Sequence, residues 1–161
     1  MRHLIICIVL SLCSACSSQP LQQHRASVSS RAPSNIPTPQ PQRSIQSLAR
    51  AQLGVPYRYG GNSPRQGFDC SGLVRYVHNQ AGLNIPRSTR EQYRSSTPVS
   101  LNKIKAGDLL FFRIRRSRAD HVAIYLGKGR MIHAPSSGKA VEITSLNNPY
   151  WAKRLFAAGH F

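Results

Sequence analysis

The stretch FDCSGLVRYVHNQAG, residues 68–82, decides how the chain is read. Asp69 is a good N-cap, because its carboxylate can accept hydrogen bonds from the free amides of a first helical turn, and Gly82 suits a C-terminal stop. Between them Leu73, Val74, Val77 and Ala81 recur at helical spacing. This predicts a helix from Asp69 to about Ala81, with Cys70, Val74, Val77 and Ala81 on the face turned toward the rest of the fold. A thiol then sits in the first helical turn, where the positive end of the macrodipole and unpaired amides favour the thiolate. Placement makes Cys70 a candidate nucleophile.

Working outward, a first helix is expected from Ser44, with Ile45, Leu48, Ala49 and Leu53 on one side and Gly54 as its stop. Residues 55–62 (VPYRYGGN) are turn-rich. Ser88 and Glu91 have capping-box spacing, so a short helix should begin after Pro86. From Leu109 the period changes. Short apolar runs at 109–114, 121–126, 130–134 and 140–143, with a last one at 154–161, alternate with turns and predict an antiparallel sheet of four or five strands. Helices first and strands second make an α+β domain, its long helix packed on one face of the sheet.

His121 begins one predicted strand and His133 ends the next, joined across Gly127-Lys128-Gly129. If that turn is a three-residue loop, Leu126 pairs with Arg130, Ala123 lies opposite His133, and the two imidazoles point to the same face. A two-residue loop would put them on opposite faces. A cysteine, a histidine and a third polar group that orients the imidazole are what acyl transfer needs. His78 is eight residues along the helix from Cys70, about 12 Å away, and is set aside; His24 and His160 are read as tether and terminal residues. Cys70, His121 and His133 could also hold zinc. No HxxxH or CxxC spacing supports that, and a helix-start cysteine fits a nucleophile better, so neither metal nor cofactor is expected.

The N-terminus carries a different message. Residues 1–15 combine a positive start with the apolar run Leu4 to Leu12, too short to span a bilayer, and read as an export signal. Leu12-Cys13-Ser14-Ala15-Cys16 resembles a bacterial lipobox, with Cys13 where Leu is usual, so Cys16 is expected to become the lipidated N-terminus; an ordinary secretory signal is the alternative. Residues 16–42 are rich in Pro, Ser and Gln, with no Phe, Tyr or Trp from Ser17 on, and form a tether reaching about 80 Å if extended. The folded domain is then 43–161. With Cys7 and Cys13 removed and Cys16 capped, Cys70 is the one remaining thiol. The chain has 22 Lys+Arg against 5 Asp+Glu, a net charge of +17, which favours an anionic partner. Export and the scatter of the basic residues exclude nucleic acid. The one local cluster, Arg113, Arg115, Arg116 and Arg118, is read as a solvated loop in preference to a substrate clamp.

The segments PYRYGG (56–61), FDCSGLV (68–74), PRSTREQ (86–92), AGDLLFF (106–112), DHVAIYLG (120–127) and MIHAPSSG (131–138), in this order, resemble the NlpC family of papain-like bacterial cell-wall cysteine peptidases, as does PYW at 149–151. The resemblance implies a papain-like NlpC-type fold, with Cys70 as nucleophile, His121 as base, His133 as orienting residue and Tyr57 near the oxyanion site. It puts Asp69 and Ser71 among residues lining substrate subsites, although Asp69 could be only the helix cap and Tyr57 a core tyrosine. The implied activity is hydrolysis of peptidoglycan stem-peptide or cross-link amides through a thioester, either between D-glutamate and the diamino acid or at the diaminopimelate cross-link. The expected setting is a monomer held by lipid at the outer membrane, facing the periplasm. A wall-binding lipoprotein without turnover and a papain-like acyltransferase are the alternatives.

Overall fold

A computed structural model describes residues 44–161 apart from Arg116. The export segment, Cys16 and the tether lie outside these residues.

Helix α1 (Ile45–Arg50) starts where Ser44 caps it, the hydroxyl accepting from the Ser47 amide at 3.2 Å. It buries Leu48 and Ala49. A two-residue hairpin follows, β1 (Asn62–Ser63) and β2 (Gly67–Phe68), and leads into helix α2 (Cys70–Gln80). Asp69 is its N-cap, and Leu73, Val74 and Val77 are fully buried. Helix α3 (Thr89–Ser95) opens with the capping box expected of Ser88 and Glu91.

The remaining elements are β3 (Thr97–Val99), β4 (Leu109–Phe112), β5 (His121–Gly127), β6 (Arg130–His133), β7 (Glu142–Ser145), helix α4 (Pro149–Ala152) and β8 (Leu155–His160). Among the described residues the six strands β3 to β8 form one antiparallel sheet in the order β3-β8-β4-β5-β6-β7. The α+β class is as the sequence predicts, but the strand count is six, not four or five. The extra strand is β3, which runs along β8 at the sheet edge, where Pro98 can sit without breaking a central ladder.

Strand periodicity distributes the core. Leu109, Phe111, Val122, Ile124 and Ile132 face the helices and pack with Leu48, Val74 and Val77. Leu110, Phe112, Ala123 and Met131 face the other way, onto Trp151 and Ala158. Both faces of the central strands are therefore covered, which is why β4 and the start of β5 read as continuous apolar runs rather than alternating ones.

The β5–β6 turn settles the parity of the histidines. Gly127 pairs with Arg130, closing a two-residue turn of Lys128 (φ 51°) and Gly129 (φ 65°), the left-handed pair of a type I′ hairpin. A bulge between Tyr125 and Gly127 absorbs one residue, so Tyr125 pairs with Met131 and Ile124 with Ile132. One step further, Ala123 lies opposite His133. The expected Leu126–Arg130 pair is not formed, since Gly127 takes that place, but the two histidines still share a face because the bulge restores the parity that a two-residue loop alone would have reversed.

Candidate active site

The first turn of α2 is held from below. Asp69 Oδ1 accepts from the Gly72 amide at 2.7 Å and the Ser71 hydroxyl at 3.2 Å, while Oδ2 accepts from the Gly60 amide at 3.0 Å. Arg87 donates to both carboxylate oxygens, at 2.7 and 3.0 Å, and to Ser71 Oγ at 2.9 Å. Asp69 and Ser71 are thus buried in a platform beneath Cys70 and do not line the cavity onto which it opens. Gln92, fully buried, donates to the carbonyls of Ser71 and Pro86 at 3.0 and 2.8 Å and ties α3 to α2. That tie brings Thr89, the first residue of α3, within 3.6 Å of the Cys70 sulfur.

Cys70 is partly exposed. Burial pushes its thiol up from the ordinary value, against the pull of the Thr89 hydroxyl and the backbone amides of Val122 and Ser71. The sequence predicts a thiolate drawn out by the helix terminus; here desolvation by the packed sheet and α3 outweighs those local donors, so the resting form is the thiol.

His121 and His133 meet. Nε2 of His121 lies 2.9 Å from Nδ1 of His133, and Nε2 of His133 lies 3.1 Å from the Thr144 hydroxyl. Thr144 in turn donates to Glu142 at 3.4 Å. His121 and His133 are 3% and 0% exposed. Trp151 closes over both, with ring centroids 5.2 Å from His121 and 4.7 Å from His133, and Phe112 stands 5.8 Å from His121. Burial lowers His121 to about 4 and His133 to about 3. Both rings are neutral at pH 7, and each tautomer is set by the bond its other nitrogen makes.

Cys70 and His121 share one cavity of about 1290 Å³ with Tyr57, Thr89, Trp151 and Thr144. Tyr57 gets there because residues 54–57 run beside 139–141, its amide donating to the Lys139 carbonyl at 2.8 Å. Burial, then the Cys70 and Asp69 charges, raise its phenol above the usual value, so the hydroxyl keeps its proton and can donate. Arg115 and Arg118 also line the cavity, whereas Arg113 stacks on Phe156, 4.0 Å above the ring centroid. Among the described residues no group of three or more His, Cys, Asp or Glu is placed to hold a metal ion.

Sequence reasoning missed Arg87, Gln92, Thr144, Glu142 and Trp151. Glu142 and Thr144 carried a usable signal: two positions apart on a strand, they share a face. Arg87 and Gln92 stand in the quoted segment PRSTREQ, but their roles were not legible there, because Asp69 and Ser71, which they bind, lie 18 and 21 residues away.

The NlpC/P60 family model matches residues 54–160. Over 111 residues the chain is 46% identical to murein DD-endopeptidase MepH of Escherichia coli (strain K12), covering 66% of this chain and 41% of that protein. Over 118 residues it is 42% identical to the gamma-DL-glutamyl hydrolase of Bacillus subtilis (strain 168), covering 71% of this chain and 28% of that protein. The chain thus spans less than half the length of either relative. Its structure is similar to that of a protein of Staphylococcus aureus subsp. aureus Mu50 described as similar to lipoprotein, NLP/P60 family, with a TM-score of 0.66 and 37% identity over 72% of this chain and 39% of that one. A family match that runs from the turn before Tyr57 through the last strand, across the whole of the Cys70 and His121 cavity, makes this chain a member of the NlpC/P60 family.

Proposed function

We propose that the protein is a peptidoglycan endopeptidase that cuts stem-peptide or cross-link amides through a Cys70 thioester. What carries this is the cavity onto which Cys70, at the start of α2, and His121, backed by His133, both open. Because the thiol and the imidazole rest neutral, the proton must move as the bond forms. Cys70 attacks the amide carbonyl while His121 takes the thiol proton, then hands it to the leaving amine; water, deprotonated by the same imidazole, releases the acid and regenerates the thiol. Nε2 of His121 is occupied by His133, which leaves Nδ1 for the thiol. His133 holds that orientation, and Thr144 with Glu142 extends the chain of bonds behind it. The protonated Tyr57 hydroxyl serves the developing oxyanion. The names of the two relatives, a DD-endopeptidase and a gamma-glutamyl hydrolase, support both bond classes for this cleft. Asp69 and Ser71 act in this scheme by fixing the first turn of α2.

Mass spectrometry of purified cell walls digested with the domain tests this directly. Cleaved muropeptides from the wild type and intact ones from Cys70→Ala are expected, and the masses identify the bond. Unchanged muropeptides from folded wild-type protein would leave a wall-binding lipoprotein instead.

The same proposal extends to the N-terminus: Cys16 is diacylated and holds a monomeric enzyme at the outer membrane, facing the periplasm, since Ser17 and not Asp follows it. Among the described residues no helix is long and apolar enough to cross a membrane. A fatty-acid analogue should label the wild type and not Cys16→Ser; equal labelling, or none in either, would end the anchor.

A further inference from the structure

The charge around the cleft asks for a partner of its own. Arg90, Arg115, Arg118 and Lys139 line the cavity that holds Cys70 and His121, and all four are exposed. They come from separate parts of the chain: α3, the β4–β5 connection and the β6–β7 connection. Ion pairs among the described residues are Arg87–Asp69, His133–Glu142 and His160–Asp108, so none of the four is neutralised by one. The acidic groups lining the same cavity are Asp120 and Glu142, and both are committed. Asp120 accepts from the Ile114 and Arg115 amides at 2.7 and 2.8 Å, folding the connection back on itself, and Glu142 accepts from Thr144. Their charge also reaches the site residues, since Arg115 is felt at the Tyr57 hydroxyl and Lys139 at His133.

Cations gathered on a concave surface repel one another, and low-dielectric walls strengthen the field they share. An anion bound there removes that repulsion, and a guanidinium matches a carboxylate in shape as well as charge. We propose that this rim selects peptides by their free carboxylates, with Arg115 and Arg118 as the specificity-determining residues, so that a carboxylate-bearing stem peptide is bound and cut in preference to the same peptide amidated. This rests on the peptidase assignment and names its substrate class.

The test compares two synthetic stem peptides of one sequence, carboxylates free in one and converted to carboxamides in the other. Wild-type kcat/KM should favour the carboxylate form by about tenfold or more, as expected for one or two charge-assisted hydrogen bonds. In Arg115→Gln/Arg118→Gln the ratio should fall toward one. Arg130→Gln removes an exposed charge that does not line the cavity and should keep the wild-type ratio. Equal wild-type kcat/KM for the two peptides overturns the proposal. So does a ratio that drops as far in Arg130→Gln as in the double variant, which would mean only the net field acts. If neither peptide is cut, binding to the Cys70→Ala protein separates the two ideas. Tighter binding of the carboxylate peptide, lost on adding the double substitution, would keep the carboxylate rim without the peptidase; equal binding would end both.

Discussion

At the scale of single residues, the buried imidazole pair makes the sharpest demands. His133 is fully enclosed and uses both nitrogens, one on His121 and one on Thr144. Asn can replace one of those bonds and Ala neither. His133→Asn should therefore retain much of the wild-type kcat, while His133→Ala should lose roughly 10²-fold or more, as orienting groups in other triads do. Turnover and melting temperature measured together decide between positioning and packing: equal rates for the two variants with unequal melting temperatures would reduce His133 to a core residue. Cys70→Ala removes one sulfur at a helix start, and Ala is a good helix former. Its turnover should vanish while its melting temperature stays within a few degrees of the wild type, as circular dichroism can check.

At the scale of elements, the site depends on the β1–β2 hairpin lying flat against the first turn of α2. Gly72 makes this possible, because a Cβ there would strike the Gly61 carbonyl, and Gly61 in turn sits against the backbone of Gly67. Gly72→Ala thus overpacks a contact between two backbones, which cannot move as a flexible side chain would. A loss of about 2 kcal/mol or more is expected despite the better helix propensity of Ala, with activity falling as the Asp69–Gly60 bond is pushed apart. Denaturant unfolding of Gly72→Ala beside Gly82→Ala is a fair comparison. Gly82 has open space around it and only its positive φ of 85° to lose, whereas Gly72 is helical and has only the clash, so a Gly72→Ala loss smaller than that of Gly82→Ala would show that the contact yields easily.

At the scale of the whole molecule, burial of titratable groups fixes the pH range of stability. The unfolded chain protonates its histidines near pH 6.5, whereas folded His121 waits until about 4 and His133 until about 3. Between those limits the unfolded state binds more protons, so stability is lost as pH falls through the window, by about 3 kcal/mol for His121 alone. His78, also lowered by burial, adds to the same limb. Cys70 and Tyr57 act in the opposite direction. Their folded values are raised, so stability falls as pH climbs past their ordinary values of 9.0 and 10.0. Melting temperature should be highest near neutral pH and drop on acidification from 6.5 to 4, with a shallower acid limb in His121→Asn. A flat profile between pH 7 and 4 would contradict the buried neutral pair.

Local chemistry was enough for much of this. Asp69, Ser88 and Glu91 announce two helix starts because capping needs only neighbours within three residues, whereas strand parity left the faces of His121 and His133 open between two loop lengths until the bulge between Tyr125 and Gly127 settled it. The sequence by itself therefore determined the α+β order of elements and the position of Cys70 in the first turn of a helix. Only the tertiary structure decided what surrounds them. The edge strand β3 exists because residues 97–99 find β8 some sixty positions later, a pairing that three residues containing Pro98 do not declare. Arg115 and Arg118 lie in the exposed loop that the sequence predicts, and that loop also lines the cavity, with Asp120 holding its start; Trp151 covers the imidazoles from a helix near the far end of the chain. The resting thiol of Cys70 was decided in the same way. A helix terminus acts through the nearest amides and can be read from sequence, whereas desolvation sums over every atom packed around the sulfur, and those atoms come from all parts of the fold.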